Sequence, residues 1–375
     1  MIEKLGNIAT YLNGYAFKPC DWSESGLPII RIQDLTGTSA KPNYYEKTYD
    51  KKYEINEGDV LISWSASLGV YVWHGRKALL NQHIFKVIFD KIVVDKDFFV
   101  YQIEYILKKA TALVHGATMQ HLTRPVFNNL PFKLFPIERQ QKIALTLNTI
   151  STLINDRQKQ LQYLDGLIKS RFVEMFGDPL LNPKHWNIEF IKDVVTDVQY
   201  GTSKPSIDGG RFKYLRMNNL TSNGRIDLSN LKYIDIPDPE LEKCLVKKGD
   251  ILFNRTNSID LVGKTALFNY DEPMVIAGYI IRVRLKNETL PEFFTVFMNL
   301  PYMKQKLRQI AKGAVNQANI NSQELQALQI YEPPLFLQNQ FADFVQQVDK
   351  SRLAVQKSLD ELDLLKKSLM QEYFG

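Results

Sequence analysis

Apolar residues recur in a 4-3-4-3 spacing in two separate stretches of the chain, residues 137–177 and 335–375. In the first stretch these positions are Ile143, Leu147, Ile150, Ile154, Arg157, Leu161, Leu164 and Ile168. In the second stretch they are Phe341, Val345, Val348, Arg352, Val355, Leu359, Leu362 and Lys366. A period of about 3.5 residues keeps one stripe of a helix against one partner, so each stretch is predicted to be a coiled-coil helix. The charged residues in the stripe weaken the contact but can fix its register.

The two stretches are copies of each other. Adding 198 to a residue number in the first gives its counterpart in the second without a gap, and both copies end in Phe-Gly. Pro136 and Pro334 precede the helices, where a missing N–H is harmless, and Gly177 followed by Pro179 predicts the end of the first helix. The sequence therefore predicts two matching helices of about 60 Å, at about 1.5 Å per residue.

The remaining sequence forms two blocks, residues 1–136 and 178–334, that follow one plan. In the first block, short apolar runs at 29–32, 60–62, 70–73 and 84–88 predict strands, and the spacing over 97–114 predicts a helix. In the second block, residues 214–220 parallel 29–35, residues 248–253 parallel 57–62, and the loop 313–320 parallels 116–122. The prediction is a mixed α/β protein of block, helix, block, helix, in which the two long helices pair.

The predicted strands agree between the blocks, whereas the loops that follow them differ. This pattern is expected of a protein that binds two different sites with one scaffold. Ser, Asn, Gln, Arg and Lys in such loops can contact base edges in a major groove, and lysines can hold phosphates. The candidate DNA-binding residues are Arg31, Gln33, Ser63, Ser65, Ser67, Gln120 and His121 in the first block, and Thr202, Lys204, Arg216, Asn218, Asn254, Arg255, Asn257, Lys264, Gln317 and Asn319 in the second.

Each of these residues also has a simpler interpretation. A polar side chain at a hairpin tip is often only solvated, and Arg255 could pair with a surface acid such as Asp260. Arg255 and Asn257 are the sharpest candidates, because Arg favours guanine and Asn favours adenine through paired hydrogen bonds. Lys264 is predicted to meet a phosphate.

Composition and charge narrow the class of protein. The 375 residues suggest two domains, and a net charge of +6 with a pI near 8.9 permits nucleic-acid binding without demonstrating it. No signal peptide is visible in residues 1–10, and the most apolar run, 274–281, is too short to cross a bilayer. Two cysteines are too few for a disulfide framework. A cytoplasmic protein is predicted.

The sequence predicts no catalytic, cofactor-binding or metal-binding residue. Residues 261–265 end like a phosphate-binding loop, but Ser258 stands where that loop needs glycine. Residues 331–335 resemble an amino-methyltransferase motif only faintly, because Glu332 lacks the amide and Leu335 cannot stack on a flipped base. No GxGxxG follows a predicted strand, and the five histidines lack metal-ligand spacing.

The two long stretches begin with similar junctions. The first junction has Phe135-Pro136, Gln140 and Ile143-Ala144, and the second has Pro333-Pro334-Leu335, Gln338 and Phe341-Ala342. A strand, a Pro-Pro-Leu turn, a Gln and an Ile-Ala pair in this order resemble the junctions of the specificity subunits of type I restriction–modification systems. The Gly-Asp turns at Gly58 and Gly249 and the Gly…Gln loops at Gly116 and Gly313 are also similar. Phe135 and Leu337 depart from the family pattern.

The resemblance implies a fold and a set of partners. Residues 1–136 and 178–334 would be target recognition domains, each reading half of a split double-stranded DNA target. Residues 137–177 and 335–375 would form an antiparallel spacer that binds two modification subunits. S-adenosylmethionine, ATP and Mg²⁺ would be bound by those methyltransferase subunits and by the restriction subunits, none by this chain, and no membrane would be involved. Two alternatives stay open: the recognition subunit of a related methyltransferase or endonuclease outside type I, and a coiled-coil scaffold that binds no DNA.

Overall fold

A computed structural model describes residues 1–39, 41–113, 122–314 and 317–375. The chain divides into two compact units, Met1–Arg157 with Ser358–Gly375, and Gln158–Lys357. Each unit therefore contains one of the two blocks and about half of each long helix. The predicted mixed α/β class is confirmed.

The first long helix is Ile137–Phe176 and the second long helix is Leu335–Phe374, 40 residues each. Every stripe position predicted from the 4-3 spacing is buried or half-buried. In the first unit the start of the first long helix shares a core with the end of the second, through Leu147 and Phe374. In the second unit Phe172, near the end of the first long helix, packs edge-on against Phe341, near the start of the second. The pairing is therefore antiparallel.

The charged residues of the stripe have specific partners. Arg157 Nε donates to Ser358 Oγ over 3.2 Å, and Arg352 Nε lies 3.8 Å from Asp165 Oδ1. Lys366 Nζ lies 5.4 Å from the centre of the Tyr101 ring. The three charged residues of the stripe therefore contact a hydroxyl group, a carboxylate and an aromatic ring.

A buried glutamine locks the start of each long helix. Gln140 Oε1 accepts from Asp95 N over 3.0 Å, just before the helix Lys96–Leu113, and its Nε2 donates to Phe135 O over 2.7 Å. Gln338 does the same with Leu290 N and Pro333 O, 2.8 Å each, at the helix Pro291–Met298. Both glutamines are buried, so the junction motif ties each long helix to the block before it.

The first unit contains two four-stranded sheets. The first sheet is antiparallel, in the order Thr10–Asn13, Ile84–Ile88, Val60–Ser63, Gly69–Val72. The second has the order Asn43–Tyr45, Leu27–Ile30, Ala78–Leu80, Glu54–Ile55. The other elements are the paired strands Ile2–Lys4 and Pro131–Lys133, the helices Leu5–Ile8, Ile32–Leu35, Lys96–Leu113 and Arg124–Asn128, and the 3-10 turns Pro19–Asp21 and Lys51–Tyr53. The strand predicted over 29–32 ends at Ile30, because Arg31 caps the next helical turn.

The second unit repeats both sheets. They run Val195–Tyr200, Ile280–Leu285, Ile251–Asn254, Thr265–Leu267 and Lys232–Ile234, Phe212–Leu215, Met274–Ile276, Leu245–Val246. The smaller elements are the strands Ile188–Phe190 and Gln329–Tyr331, the helices Ile191–Val194, Asp238–Cys244, Pro291–Met298, Pro301–Ile310 and Ser322–Gln326, and the 3-10 turn Met217–Asn219.

The predicted loop over 313–320 is not a plain loop. It contains the strands Lys312–Ala314 and Gln317–Asn319, which form a three-stranded sheet with Thr256–Asn257. The sequence alone could not show this, because the hydrogen-bonding partner of the segment lies about sixty residues earlier in the chain. Across the described ranges, no helix is long and apolar enough to cross a membrane.

Candidate nucleic-acid interface

Several of the loops predicted to bind DNA leave the first sheet of each unit at one edge, whereas the second sheet carries the candidates Arg31, Gln33, Arg216 and Asn218 after its strands. In the second unit Tyr200 and Asn254 end their strands opposite Ile281 and Ile280, at the start of the strand Ile280–Leu285. In the first unit Asn13 and Ser63 end their strands opposite Phe85 and Ile84. Since antiparallel strands alternate in direction, the loops that follow the strands on either side of Ile280–Leu285 and of Ile84–Ile88 meet the loops that precede those two strands at this edge. We call it the loop edge of each unit.

A glycine at the loop edge brings two chain segments into direct contact. A Cβ on Gly14 would lie 2.2 Å from Asn81 O, and one on Gly201 would lie 2.3 Å from Ala277 O. Only glycine permits this approach, since real Cβ atoms essentially never come so close to backbone. The next residues, Tyr15 and Thr202, form isolated bridges at the same places. Gly14 and Gly201 therefore make equivalent close contacts in the two units.

Arg255 occupies the centre of the loop edge in the second unit. Its Nη2 donates to Asn319 Oδ1 over 3.0 Å, and its guanidinium carbon lies 4.9 Å from the centre of the Tyr200 ring. These contacts, rather than the ion pair with Asp260 considered above, hold the half-buried side chain. Stacking on an aromatic ring orients a guanidinium plane. Arg255 and Asn319, two of the candidate residues, thus lie together.

Two of the candidate residues are buried and shape the loops from inside, so the structure corrects their assignment as DNA contacts. Asn254 donates to Thr256 O and Tyr279 O over 3.1 and 3.2 Å and accepts from Asn257 Nδ2 over 2.9 Å. Ser63, at the equivalent strand end of the first unit, donates to Ser67 O over 2.5 Å. Both have no exposed surface, so neither can touch a base in this conformation.

Lys264 is also buried, which contradicts its predicted phosphate contact. Its Nζ donates to Met217 O over 2.9 Å, inside the second unit. Burial lowers the pKa of Lys264, since a low-dielectric surrounding disfavours the ammonium. The lysine of the partial phosphate-loop motif therefore holds a neighbouring turn.

Arg31 and Arg216 have matching structural contacts. Arg31 N and Nε both donate to Asp34 Oδ2, over 2.9 and 3.3 Å, and Nη2 donates to Ser39 Oγ over 3.1 Å. Arg216 N donates to Asn219 Oδ1 over 2.8 Å, and Nη2 donates to Asn230 O over 3.1 Å. Each arginine thus helps to close the turn that follows its strand.

The other candidates differ in exposure. Gln33, Ser67, Asn218 and Gln317 are exposed, whereas Ser65, Thr202, Lys204, Asn257 and Asn319 are half-buried. Lys204 Nζ pairs with Glu240 Oε2 over 2.9 Å. Gln120 and His121 lie outside the described residues.

Aromatic side chains at the loop edge were missed by the sequence analysis. Tyr200 and Tyr279 are exposed in the second unit, and Tyr15 in the first. Trp64 Nε1 donates to Asn13 Oδ1 over 3.2 Å, and its ring stacks on Phe85 at 5.6 Å. Aromatic faces can stack on bases or contact methyl groups of thymine. Their position in the sequence could have identified them, because Tyr15 directly follows Gly14 and Tyr200 directly precedes Gly201.

A second surface lies on the long helices, where apolar side chains outside the stripe face solvent. The most exposed are Leu145 and Leu364 in the first unit, each 68% exposed, and Tyr163 and Leu353 in the second, 74% and 71% exposed. Leucines so exposed, several on one element, are typical of a protein-binding surface.

Comparison with known proteins adds a family and a fold. The sequence model of the family described as "Type I restriction modification DNA specificity domain" matches residues 1–163 and 183–363. The Type I restriction enzyme EcoBI specificity subunit of Escherichia coli is 22% identical over 406 residues, covering 99% of this chain and 84% of that protein. The MjaVIII specificity subunit of Methanocaldococcus jannaschii is 24% identical over 394 residues, covering 98% and 90%.

Two solved structures share the fold over the whole chain. The type I restriction–modification S subunit from M. genitalium superposes with a TM-score of 0.56 at 14% identity, covering 100% of this chain and 96% of that one. A chain from a study of complex assembly and conformational transition of the type I system gives 0.55 at 16% identity, covering 100% and 97%.

Proposed function

Because the chain belongs to the family of type I restriction–modification DNA specificity domains, we propose that it is the DNA-binding specificity subunit of such a system. Each block reads one half of a split double-stranded DNA target. The paired long helices connect the blocks and bind the other subunits. Membership of this family favours the type I assignment over a recognition subunit of another system and over a scaffold that binds no DNA.

The observation that carries the proposal is the repeated loop edge. Both units present divergent polar loops from the same edge of the same four-stranded sheet. A shared scaffold with different loops is what two different half-sites require. Base contacts specify a sequence, while contacts to phosphates fix the position of the protein.

We assign direct contact with DNA to the surface-accessible part of the candidate set. In the second block these are Thr202, Lys204, Arg255, Asn257, Gln317 and Asn319, with Asn218. In the first block they are Gln33, Ser65 and Ser67, with Gln120 and His121 from the sequence prediction. Arg31 and Arg216 hold turns, and the buried Ser63, Asn254 and Lys264 support the loops.

The exposed apolar side chains of the long helices are the proposed binding surface for partner subunits. Each unit carries its own set, Leu145 and Leu364 in one and Tyr163 and Leu353 in the other. Two such surfaces suit two modification subunits, and restriction subunits join that complex. The relatives named above are specificity subunits of restriction enzymes, which supports a complex of this kind.

The chemistry resides in the partners. The modification subunits hold S-adenosylmethionine, and the restriction subunits use ATP and Mg²⁺. This chain recognises the target sequence and catalyses no reaction. The complex works in the cytoplasm, where it meets DNA.

Selection from random duplexes tests this function. The chain is purified with its modification subunits, incubated with a pool of random duplexes, and the retained DNA is sequenced. We expect two short defined sequences separated by a fixed undefined spacer, and binding that weakens steeply with salt. Enrichment of no sequence, or of one continuous sequence, would contradict the proposal.

A further inference from the structure

A hairpin loop of the second block, residues 220–226, reaches both long helices. Leu220 and Ile226 pair at its base, and Thr221 N donates to Arg225 O over 2.9 Å across it. Gly224 has a φ of +83°, and a Cβ there would lie 2.7 Å from Asn299 Nδ2. Positive φ and this close contact both favour glycine at this turn. We call residues 220–226 the strap.

Two side chains of the strap bind carboxylates on different helices. Asn223 Nδ2 donates to Asp165 Oδ2 of the first long helix over 2.7 Å. Arg225 Nη1 lies 2.7 Å from Asp349 Oδ1 of the second long helix, and Arg225 Nε lies 3.7 Å from Asp165 Oδ1. The strap therefore joins the block to the helix pair at a place separate from the Gln338 junction.

The strap also accounts for a charged residue in the helix stripe. Arg352 shares Asp165 with Arg225, so two arginines and two aspartates balance in one network. The side chains of Asp165 and Arg352 are only 18% and 17% exposed. Partly buried, networked charges are screened less by water and salt than single surface pairs. This network is therefore more than an incidental surface contact.

We propose that Asn223 and Arg225 are positioning residues that fix the orientation of the second recognition block on the long helices, and thereby the spacer length the protein accepts. The proposal rests on the proposed function. Adjacent base pairs are about 3.4 Å apart along the axis and are rotated by about a tenth of a turn. A block that rocks on its helices by a few Å would meet its half-site in more than one register. A block held at two separate places discriminates between neighbouring spacers.

Among the described residues, the side chains of Asn223 and Arg225 bond to Thr221 and to the two long helices and to no residue assigned to DNA contact, so their effect can be separated from base recognition. The alanine variants Asn223→Ala and Arg225→Ala remove the contacts from the side of the block and leave the helix stripe intact. Lys248→Ala is the matched control, since Lys248 forms an exposed ion pair with Asp271 in the same block. Lys248 precedes the strand Ile251–Asn254, at the end away from the loop edge.

The test measures methylation by the complex of this chain with its modification subunits. The duplexes carry both half-sites with the native spacer, or with one base pair more or fewer. We expect the strap variants to lose roughly tenfold or more in discrimination between native and altered spacers, a change of about 1.4 kcal/mol. Base preference within each half-site stays unchanged. The control keeps native discrimination.

Hydrogen exchange on the chain without DNA provides a second measurement. Exchange over residues 219–227 should speed up in Arg225→Ala and not in Lys248→Ala. Unaltered spacer discrimination in folded strap variants would overturn the strap proposal while the proposed function stands. A wild-type complex that recognises no split target would overturn the proposed function itself, whatever the exchange data show.

Discussion

At the scale of the residue, Arg255 offers the sharpest test of the proposed base recognition. Tyr200 and Asn319 hold its guanidinium at the loop edge, so little side-chain freedom remains to be lost on binding. We predict that Arg255→Ala weakens binding by about 1–3 kcal/mol at one base pair and relaxes the preference there. Competition binding with duplexes substituted at each position checks this prediction.

The control for Arg255 is Arg211→Ala. Arg211 is an exposed arginine of the same block that pairs with Asp238 over 3.3 Å. It should leave base preference unchanged. If Arg255→Ala and Arg211→Ala behave alike at every base pair, Arg255 does not read DNA.

Lys304 gives a prediction for stability. Burial, aided by the nearby charges of Lys169, Lys264 and Arg308, lowers the pKa of Lys304 to about 7, and its Nζ donates to Gly263 O over 2.6 Å. In the unfolded chain the pKa is about 10.4. Between these values the unfolded chain binds the extra proton, so raising the pH favours folding, by at most about 1.4 kcal/mol per unit.

Lys304→Met removes this dependence. The free energy of unfolding of the wild type minus that of the variant should rise as the pH goes from about 7 to about 10, and should be flat below about 6. Chemical denaturation across this range measures it. A difference independent of pH would mean that Lys304 remains charged throughout.

At the scale of the element, substitutions at buried stripe positions and at solvent-facing positions of the long helices are expected to act differently on stability and on partner binding. Leu359 is buried in the stripe, whereas Leu364 of the same helix faces solvent. Leu359→Asp should destabilise the chain by roughly 3 kcal/mol or more, because it buries an unpaired charge. Leu364→Asp should change stability by less than about 0.5 kcal/mol and yet weaken binding of the modification subunits. Thermal unfolding and co-purification measure the two effects. Equal melting temperatures for the two variants would contradict the prediction that the stripe positions form the buried contact between the helices.

The elements differ in how well the sequence predicted them. Helix ends and stripe positions followed from local spacing, Pro136 and Gly177, because helical contacts repeat within a few residues. The hairpin over 312–319 did not, since its partner strand is Thr256–Asn257. Pairing between distant segments has no local signature, and the same holds for the strap, whose partners Asp165 and Asp349 look like ordinary surface acids in the sequence.

The candidate site was likewise predicted from the sequence only in part. Comparison of the two blocks identified the divergent loops that follow the shared strands, and two of their candidate residues, Arg255 and Asn319, lie together. The burial of Ser63, Asn254 and Lys264 did not follow, because a polar residue at a strand end can turn outward to solvent or inward to backbone. Which of these occurs depends on the neighbouring carbonyl groups, such as Met217 O beside Lys264.

At the scale of the whole molecule, the repeat implies two independent recognition blocks on a common support. Each unit has its own sheets, its own loop edge and its own glutamine junction. Changes within one block should therefore leave recognition by the other block intact, since distant sites without shared partners behave additively.

Exchange of one block tests this central claim most directly. Residues 1–136 are replaced by the corresponding block of another specificity subunit, and the target of the complex is determined by sequencing methylated DNA. We predict that one half of the split target changes to that of the donor, while the other half and the spacer length stay the same. A target that changes in both halves, or in neither, would contradict it.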